Sequence, residues 1–240
     1  MIHWLRTLLA LAVALAATAA HAVPCPVGTL EFYVDTLAAC EIGTTAFSGF
    51  QSPEDVPTGA TPIDPATILV TPVVTPSSPG FTFLLNRSAA TPEFFDRLVN
   101  FQVAVGGGIA LTGATASLTD ATAAPDGSVS LIANLCLNGA YTIALVLCSS
   151  GSEAILLPLV NAFIDFPVDS TAFPGGIGAL DVLLDFGIEA VAGAAHLGSA
   201  TVVFRTSAEP APVPEPATLA LGVLALLLAG LVSRRRAPRS

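Results

Sequence analysis

Few side chains in this 240-residue sequence could support catalysis, and they are widely separated. Nucleophilic chemistry with a histidine base would depend on His196, because His3 and His21 lie in an apolar N-terminal stretch. The Gly-x-Ser-x-Gly motif that positions the nucleophile of many hydrolases is missing from the sequence. A single histidine beside a turn is more often structural or exposed than catalytic, so the sequence predicts no catalytic triad.

Carboxylates offer two further kinds of chemistry, sugar hydrolysis and calcium binding. A glycosidase needs two acids at a defined separation, and the candidates are Asp165, Asp169, Asp181, Asp185 and Glu189. Spacing along the chain does not fix that separation, although Asp181 and Asp185 share one side of a strand and also one face of a helix. Calcium suits such oxygen donors better, but the sequence contains no Asp-x-Asp-x-Asp-Gly loop. We therefore predict no catalytic residue, no metal site and no cofactor.

The N-terminus has the pattern of an export signal. Arg6 provides the positive charge, residues 7–19 form an apolar run, and Ala20-His21-Ala22 is a small-x-small cleavage site. Residues 1–22 are therefore predicted to be a signal helix, with the mature chain starting near Val23. An uncleaved membrane anchor is the alternative, which the shortness of the apolar run disfavours.

Three elements follow one another at the C-terminus. Pro214-Glu215-Pro216 precedes an apolar run over residues 218–232, and Arg234, Arg235 and Arg236 follow that run. A membrane-spanning helix needs about 20 apolar residues, with a lower limit near 17, so the run is marginal unless its flanking residues are counted. The arginines are predicted to stay in the cytoplasm, which places the preceding chain outside, in agreement with the export signal.

This tail resembles the PEP-CTERM sorting signal of Gram-negative bacteria. The resemblance implies a partner, exosortase, a membrane-embedded cysteine transpeptidase that cuts near the Pro-Glu-Pro motif. It also implies a transient stay in the inner membrane, followed by transfer to the cell surface or to an exopolysaccharide matrix. The prolines block helix formation at the membrane boundary and leave an extended peptide that a protease can reach. A plain C-terminal anchor with an incidental Pro-Glu-Pro is the alternative.

The chain between the two ends is acidic and contains no lysine. The only basic residues from 23 to 211 are Arg87, Arg97 and Arg205, which face seventeen acids and give a formal net charge of −14. Nucleic acids and anionic lipids require clustered cations, so neither is a predicted partner. The overall hydrophobic fraction of 53% and mean hydropathy of +0.76 therefore owe much to the two apolar ends.

The four cysteines, Cys25, Cys40, Cys136 and Cys148, all lie in the predicted exported part. An even number of cysteines outside the cytoplasm indicates two disulfides, and metal binding is the weaker alternative without a Cys-x-x-Cys pair. Proximity along the chain suggests Cys25 with Cys40 and Cys136 with Cys148. The second pair conflicts with Asn138-Gly139, a hairpin signal that would carry Cys148 too far along the partner strand. If that bridge forms, residues 137–147 must be a loop or a bulged excursion.

Short strand-like runs fill the middle of the chain. They cover residues 29–36, 68–74, 80–85, 99–105, 109–118, 128–136, 154–160, 180–189 and 200–206. Turns are predicted at residues 106–108 and 125–127, and residues 51–65 are predicted to be a surface loop or edge crossing. Residues 92–98 form the best candidate helix, with Thr91 as its N-cap and Pro92 at its first position.

These patterns predict an all-β fold, an antiparallel β-sandwich with one or two short helices, besides the signal helix and a C-terminal transmembrane helix. The predicted boundaries are residues 1–22 for the signal, 23–206 for the sandwich, 207–212 for a proline-rich linker, 213–236 for the sorting signal and 237–240 for the tail.

The middle also resembles one recurrent type of PEP-CTERM protein. Its short motifs here are Cys40-Glu41-Ile42-Gly43, Phe47-Ser48-Gly49-Phe50, Thr71-Pro72-Val73 and Pro79-Gly80-Phe81-Thr82-Phe83, followed by the cysteines at 136 and 148. The resemblance spans residues 30–216, supports the sandwich and the second disulfide, and implies no catalytic residue. We predict a non-enzymatic surface or matrix protein with a structural or adhesive role. A membrane-anchored module that binds polysaccharide or calcium is the alternative, and an anchored hydrolase comes third.

Overall fold

The computed structural model describes residues 23–54, 57–142 and 147–207. The predicted signal at residues 1–22, the sorting motif Pro214-Glu215-Pro216 and the basic cluster of Arg234, Arg235 and Arg236 lie outside the described residues, as does the linker beyond Ser207. None of the helices within the described ranges has the length and apolar character needed to cross a membrane.

The described residues consist mainly of β-strands. The strands are β1 (Gly28–Thr29), β2 (Ala39–Ile42), β3 (Thr45–Gln51), β4 (Thr61–Pro62), β5 (Leu69–Val73), β6 (Gly80–Ala90), β7 (Phe94–Val105), β8 (Leu111–Ala123), β9 (Gly127–Leu137), β10 (Tyr141–Thr142), β11 (Leu147–Cys148), β12 (Ser152–Leu156), β13 (Leu159–Asn161), β14 (Asp165–Phe166), β15 (Val168–Ile177), β16 (Ala179–Ala190) and β17 (Ala194–Thr206). The helices are α1 (Leu30–Asp35) and a single 3-10 turn (Pro65–Thr67).

The long strands form two sheets. The six-stranded sheet has the order β1-β5-β6-β17-β8-β15, and the nine-stranded sheet has the order β14-β13-β9-β16-β7-β3-β2, with β12 beside β9 and β4 beside β7. The named strands pair antiparallel, except that β4 runs parallel to β7. Consecutive strands such as β6 and β7, β8 and β9, and β16 and β17 lie in different sheets, so the chain passes repeatedly from one sheet to the other.

One hydrophobic core joins the two sheets. Phe83 of the six-stranded sheet lies 5.4 Å from Phe186 of the nine-stranded sheet, and Phe101 lies 6.2 Å from Phe204, measured between ring centroids. Along β9, buried residues alternate with less buried ones, as a sheet with one covered face requires, whereas residues 180–184 of β16 are all buried because part of the other face is covered too. The all-β sandwich is confirmed for this part of the chain.

The predicted helix over residues 92–98 is wrong. Thr91 does not cap a helix: its hydroxyl donates to the carbonyl of Gly193, and β7 begins at Phe94. Phe95 and Val99 alternate with outward-facing residues and enter the core between the sheets. In this segment β7 pairs with β16 on one side and with β4 on the other, and the backbone hydrogen bonds of these pairings outweigh the local helix signal.

The predicted strand over residues 29–36 is also wrong, because most of it forms α1. The Thr29 hydroxyl accepts a hydrogen bond from the backbone N–H of Phe32 at 3.2 Å and so caps the helix. Leu30 and Tyr33, three residues apart, are both fully buried against the core. The helical period of the buried residues therefore sets the structure of this segment.

The other predicted strands are confirmed in position, although several are longer than expected. The run at 154–160 is divided into β12 and β13, which pair with successive parts of β9 on the same side. The predicted turns at 106–108 and 125–127 are confirmed. The predicted loop at 51–65 contains β4, which pairs in parallel with β7.

Both suggested disulfides are confirmed. Cys25 is bonded to Cys40 and Cys136 to Cys148, with Cα atoms 4.8 Å and 5.3 Å apart. The conflict around Asn138-Gly139 is resolved because β9 pairs with β12 and not with the residues directly after the turn. Residues 138–142 and 147–151 lie outside the sheet, in agreement with the excursion predicted between the two cysteines, and β10 pairs with β11 there.

Candidate functional site

The outer face of the nine-stranded sheet carries the polar side chains of greatest chemical interest. On β9, Val129 and Leu131 point into the core, so Ser128 and Ser130 lie on the opposite side. The register places Glu189 opposite Ser128, and it places both Ser130 and Asp96 opposite Gly187. We refer to this surface of β7, β16, β9 and β13 as the outer face.

Two carboxyl groups meet on the outer face. Asp185 of β16 lies diagonally across from Asp96 of β7 and shares a hydrogen bond with it. Asp96 is 2% exposed, and its Oδ1 atom has no hydrogen-bond partner among the described residues. Burial, and then the charge of Asp185, raise the pKa of Asp96 to about 7. Burial also raises the pKa of Asp185, an effect opposed by the hydrogen bond from Asp96. Asp96 therefore keeps its proton to a higher pH than an exposed carboxyl group does.

This acid pair does not have the geometry of a glycosidase. Carboxyl groups within hydrogen-bonding distance are closer than the roughly 5 Å of retaining enzymes and leave no space for the water of inverting ones. Asp181 lies four residues from Asp185 on the same strand, which separates their Cα atoms by about 13 Å. Neither arrangement matches the separation that sugar hydrolysis requires.

The remaining predicted acids are dispersed. Asp165 is exposed on β14, and Glu189 is half-buried on the outer face. Asp169, on β15 of the other sheet, accepts hydrogen bonds from the backbone N–H groups of Leu157 and Ser170 at 2.9 and 2.7 Å. The Leu157 bond links the edges of the two sheets, so Asp169 has a structural contact.

Asp181 fastens a segment over one end of the outer face. Its two carboxylate oxygens accept hydrogen bonds from the Asn100 side-chain amide and from the backbone N–H of Tyr141, both at 2.8 Å. Burial raises the pKa of Asp181, and these donors lower it in part. The Tyr141 hydroxyl donates to Glu153 at 2.9 Å. We call residues 138–142 and 147–151, held by the Cys136–Cys148 bridge, the disulfide flap.

A small apolar cluster lies beneath the disulfide flap. Cys136, Tyr141 and Leu183 are buried there, with Leu98 and Cys148 packed against them. Leu183 faces outward from β16 and would be exposed without this cover. The cluster and the Asp181 hydrogen bonds together make the flap a structural part of the sandwich.

The opposite end of the outer face contains an open recess beside an exposed aromatic ring. The cavity measures about 170 Å³ and is lined by Asp126, Gly127, Ser128, Asn161, Ala162 and Phe163. Phe163 is 92% exposed. The side-chain oxygen of Asn161 accepts hydrogen bonds from the backbone N–H groups of Phe163 and Ile164, both at 2.8 Å, and so fixes the turn that carries the ring. We call this feature the Phe163 recess.

Exposed apolar side chains are concentrated around the Phe163 recess. The segment from β12 to the start of β15 exposes six large apolar residues, Ile155, Leu157, Phe163, Ile164, Phe166 and Val168. Isolated exposed apolar residues are common on protein surfaces, but six within fourteen residues of sequence are an unusual concentration. This group lies where the terminal strands of the two sheets, β14 and β15, are joined through Pro167.

His196 belongs to a separate polar cluster on the six-stranded sheet. Its Nδ1 atom lies 2.9 Å from the Ser88 hydroxyl oxygen, and its Nε2 atom lies 3.5 Å from Oδ2 of Asp120. Ser88 is exposed, and the Asp120 side chain is 74% exposed. A hydrolytic triad works within a cleft that orients the substrate and stabilises its oxyanion. Here Ser88 and Asp120 lie open to solvent beside a half-buried His196, and no cleft formed by the described residues encloses the three side chains.

Several of these partners carry no recognisable sequence signal. Asp96 lies in a segment with a helix pattern, and Ser88 and Asp120 are distant from His196 along the chain. Phe163 could have been singled out only by the combination of an aromatic residue with a preceding Asn-Ala turn. Across the described ranges, no group of three or more His, Cys, Asp or Glu side chains is placed to hold a metal ion.

Comparisons with known proteins give little further information. No family model matches the sequence, and no curated protein matches it. Among solved structures, TmCBM61 in complex with β-1,4-galactotriose is 10% identical, with a TM-score of 0.27, over 66% of this chain and 86% of that chain. The enzymatically active domain of tailspike protein 4 from bacteriophage CBA120 is 9% identical, with a TM-score of 0.26, over 74% of this chain and 21% of that chain. Likenesses this weak assign neither a ligand nor an activity.

Proposed function

We propose that this chain is a non-enzymatic protein of the cell surface or extracellular matrix, exported and then sorted by exosortase. The observation that carries the proposal is the ordered tail in the sequence, with Pro214-Glu215-Pro216, an apolar run and three arginines. Its ectodomain would act as a structural or adhesive module.

Two features of the described residues support export. The four cysteines are paired in two disulfides, a state that persists in oxidising compartments outside the cytoplasm. The formal charge of −14 favours a soluble, self-repelling surface and disfavours contact with anionic lipid. Both properties suit a domain released from the membrane into a matrix.

The non-enzymatic part of the proposal is supported by the placement of the candidate catalytic groups. The acids expected to serve hydrolysis are dispersed, and Asp96 and Asp185 are too close to flank a scissile bond. The cluster of Ser88, His196 and Asp120 is open to solvent. A scaffold or binding role uses none of this chemistry.

Mass spectrometry of the protein isolated from a host that has exosortase tests the sorting proposal. We expect an N-terminus near Val23 and a C-terminus that lacks Arg234, Arg235 and Arg236. A variant with Pro214→Ala, Glu215→Ala and Pro216→Ala should retain the arginines, because it removes the extended cleavage motif. A mature wild-type protein that keeps its three arginines would show that the tail is a plain anchor.

A membrane-anchored binding module is the second candidate function, and the Phe163 recess favours a polysaccharide as its ligand. The recess combines an exposed aromatic ring with polar side chains. Titration calorimetry with calcium and with oligosaccharides shows which of the two ligands such a module binds. Retention of the tail together with oligosaccharide binding would favour this candidate over a released matrix protein.

A further inference from the structure

The Phe163 recess presents an aromatic ring to solvent on a fixed turn. Phe163 is 92% exposed, yet the two hydrogen bonds to Asn161 hold its backbone in place. The ring lines a cavity that is also lined by the polar side chains of Asp126, Ser128 and Asn161. A fixed apolar plate beside polar groups suits a ligand that has an apolar face and a polar edge.

We propose that the Phe163 recess binds an uncharged polysaccharide, with one pyranose ring stacked on Phe163 and its hydroxyls bonded to Asp126, Ser128 and Asn161. The proposal rests on the proposed function, since it names the matrix component that the ectodomain contacts. A pyranose has C–H groups on its faces and hydroxyls around its edge. The Asp126 carboxylate accepts, the Asn161 amide nitrogen donates, and the Ser128 hydroxyl does both.

The size of the recess points to one ring of a longer chain. Its volume of about 170 Å³ is below the roughly 300–1,000 Å³ of pockets that enclose a complete small molecule. Phe166, opposite Leu159 of β13, and Ile155 of β12 expose further apolar side chains on this side of the nine-stranded sheet. A polymer could therefore place one ring in the recess and lie across these neighbours with the next.

Charge excludes an anionic ligand. Asp126 lines the recess, Asp165 lies close by in the sequence, and none of the three arginines among the described residues lines it. Arg97 is buried, the Arg87 guanidinium lies 3.9 Å from the centre of the Phe95 ring, and Arg205 donates to the Thr171 carbonyl. A phosphate, a nucleic acid or a uronate polymer would meet only negative charge here.

Charge and edge chemistry also disfavour a second copy of this chain. Two ectodomains that each carry a formal charge of −14 repel each other. Pro167 follows β14 directly, and β14 is only two residues long. Short edge strands next to proline are typical of edges protected against pairing with another chain.

Binding of the purified full-length chain to an array of oligosaccharides tests the proposal. The probes are uncharged cello-, galacto- and dextran-type oligosaccharides, with alginate oligomers as the anionic arm. We expect binding to at least one uncharged probe and none to alginate. Binding to alginate alone, or to no uncharged probe, would overturn the proposal.

Substitutions assign the binding to the Phe163 recess. Phe163→Ala should weaken binding at least tenfold, Phe163→Tyr should preserve it, and Asp126→Asn should weaken it less than Phe163→Ala. The control is Val74→Ala, which shortens an apolar residue that is 76% exposed and does not line the recess. Equal affinity of the wild type and Phe163→Ala would place binding elsewhere and overturn the proposal. Circular dichroism confirms that each variant is folded.

A tryptophan at position 163 provides a direct optical readout. Trp4 is the only tryptophan in the sequence, so Phe163→Trp adds one emitter at the recess. We expect its emission to change on addition of the bound oligosaccharide, while the wild-type chain shows no change. An unchanged spectrum at saturating ligand would contradict stacking at this position.

Two further measurements separate the possible failures. Sedimentation should show a monomer. A dimer that dissociates in the Phe163→Ala variant would show that the recess binds a second copy of the chain and not a glycan. Tail processing is measured separately by mass spectrometry. A correctly processed protein that binds no glycan would contradict this inference and leave the proposed function in place. An unprocessed protein that binds glycan would contradict the proposed sorting and support this inference.

Discussion

Asp96 is a carboxyl group that folding removes from water and places against a second carboxyl. Burial, followed by the charge of Asp185, raises its pKa from the ordinary value of 3.8 to about 7. The folded chain therefore holds the proton more tightly than the unfolded chain does, and folding takes up a proton between these two pH values. Burial shifts the pKa values of Asp181 and Asp185 in the same direction.

The acid pair makes stability depend on pH in a defined direction. The stabilisation from protonated Asp96 is fully present below about pH 4 and is lost as the pH rises through about 7. The shift corresponds to at most roughly 4 kcal/mol in the free energy of unfolding. We expect urea denaturation at constant ionic strength to show this fall between pH 4 and 8, with a smaller fall for Asp96→Asn.

The matched control for this prediction is Asp165→Asn. Asp165 is exposed to solvent, so its removal should leave the pH dependence of the wild type unchanged. Asp96→Asn keeps the shape of the side chain and removes its titration. If Asp96→Asn and the wild type lose the same stability over this range, a group other than Asp96 takes up the proton on folding.

The clearest difference between sequence-based prediction and structure occurs in β7. A capping threonine and a proline at the first helical position favoured a helix over residues 92–98. Only the partner strands make the extended form the better one, because β16 and β4 lie on either side of this part of β7. These partners are distant in the sequence, so the local pattern could not reveal them. For the same reason, the sequence did not indicate that Asp96 lies beside Asp185.

Helix α1 shows the opposite case, in which a signal was present in the sequence. Thr29 as N-cap, Glu31 in the first turn and apolar residues at 30 and 33 are typical of a short helix. Aromatic and β-branched residues in the same segment favoured a strand. The strands of the sandwich were predictable because their period of two reflects one buried face, a constraint that every long strand shares.

The disulfide flap depends on the Cys136–Cys148 bridge as a single element. The bridge closes a 12-residue separation, for which the loss of loop-closure entropy predicts about 3 kcal/mol of stabilisation. We expect the double variant Cys136→Ala, Cys148→Ala to lower the free energy of unfolding by about this amount, as measured by urea denaturation. Limited proteolysis should then cut first within residues 138–151, because the flap loses its tie to β9.

The first disulfide is the control for that experiment. Cys25→Ala with Cys40→Ala opens a loop of similar separation, 15 residues, and should cost about as much stability. Its removal should leave the flap resistant to protease, since the Cys136–Cys148 bridge remains intact. Flap cleavage at equal rates in both double variants would show that the Cys136–Cys148 bridge does not hold the segment.

At the scale of the whole molecule, sequence composition described the charge well and the candidate binding surface poorly. The excess of acidic residues follows from counting residues in the sequence and does not depend on the fold. The Phe163 recess requires residues near 126 and near 161 to meet, which happens because β9 and β13 pair with Ser128 opposite Asn161. Pairing between strands separated by a long flap cannot be inferred from either segment alone.

The net charge leads to a prediction for the whole ectodomain. Seventeen acids against three arginines repel one another in the folded state more than in the expanded chain. Raising the salt concentration from about 0.01 M to about 0.15 M shortens the screening length from roughly 30 Å to roughly 8 Å. We expect the thermal midpoint at pH 7 to rise with sodium chloride over this range and most of the gain to occur at its lower end. Replacing sodium chloride with sorbitol, an uncharged solute, at equal osmolarity should not reproduce the rise. A midpoint that is independent of salt would show that the acids are too far apart on the surface to repel one another.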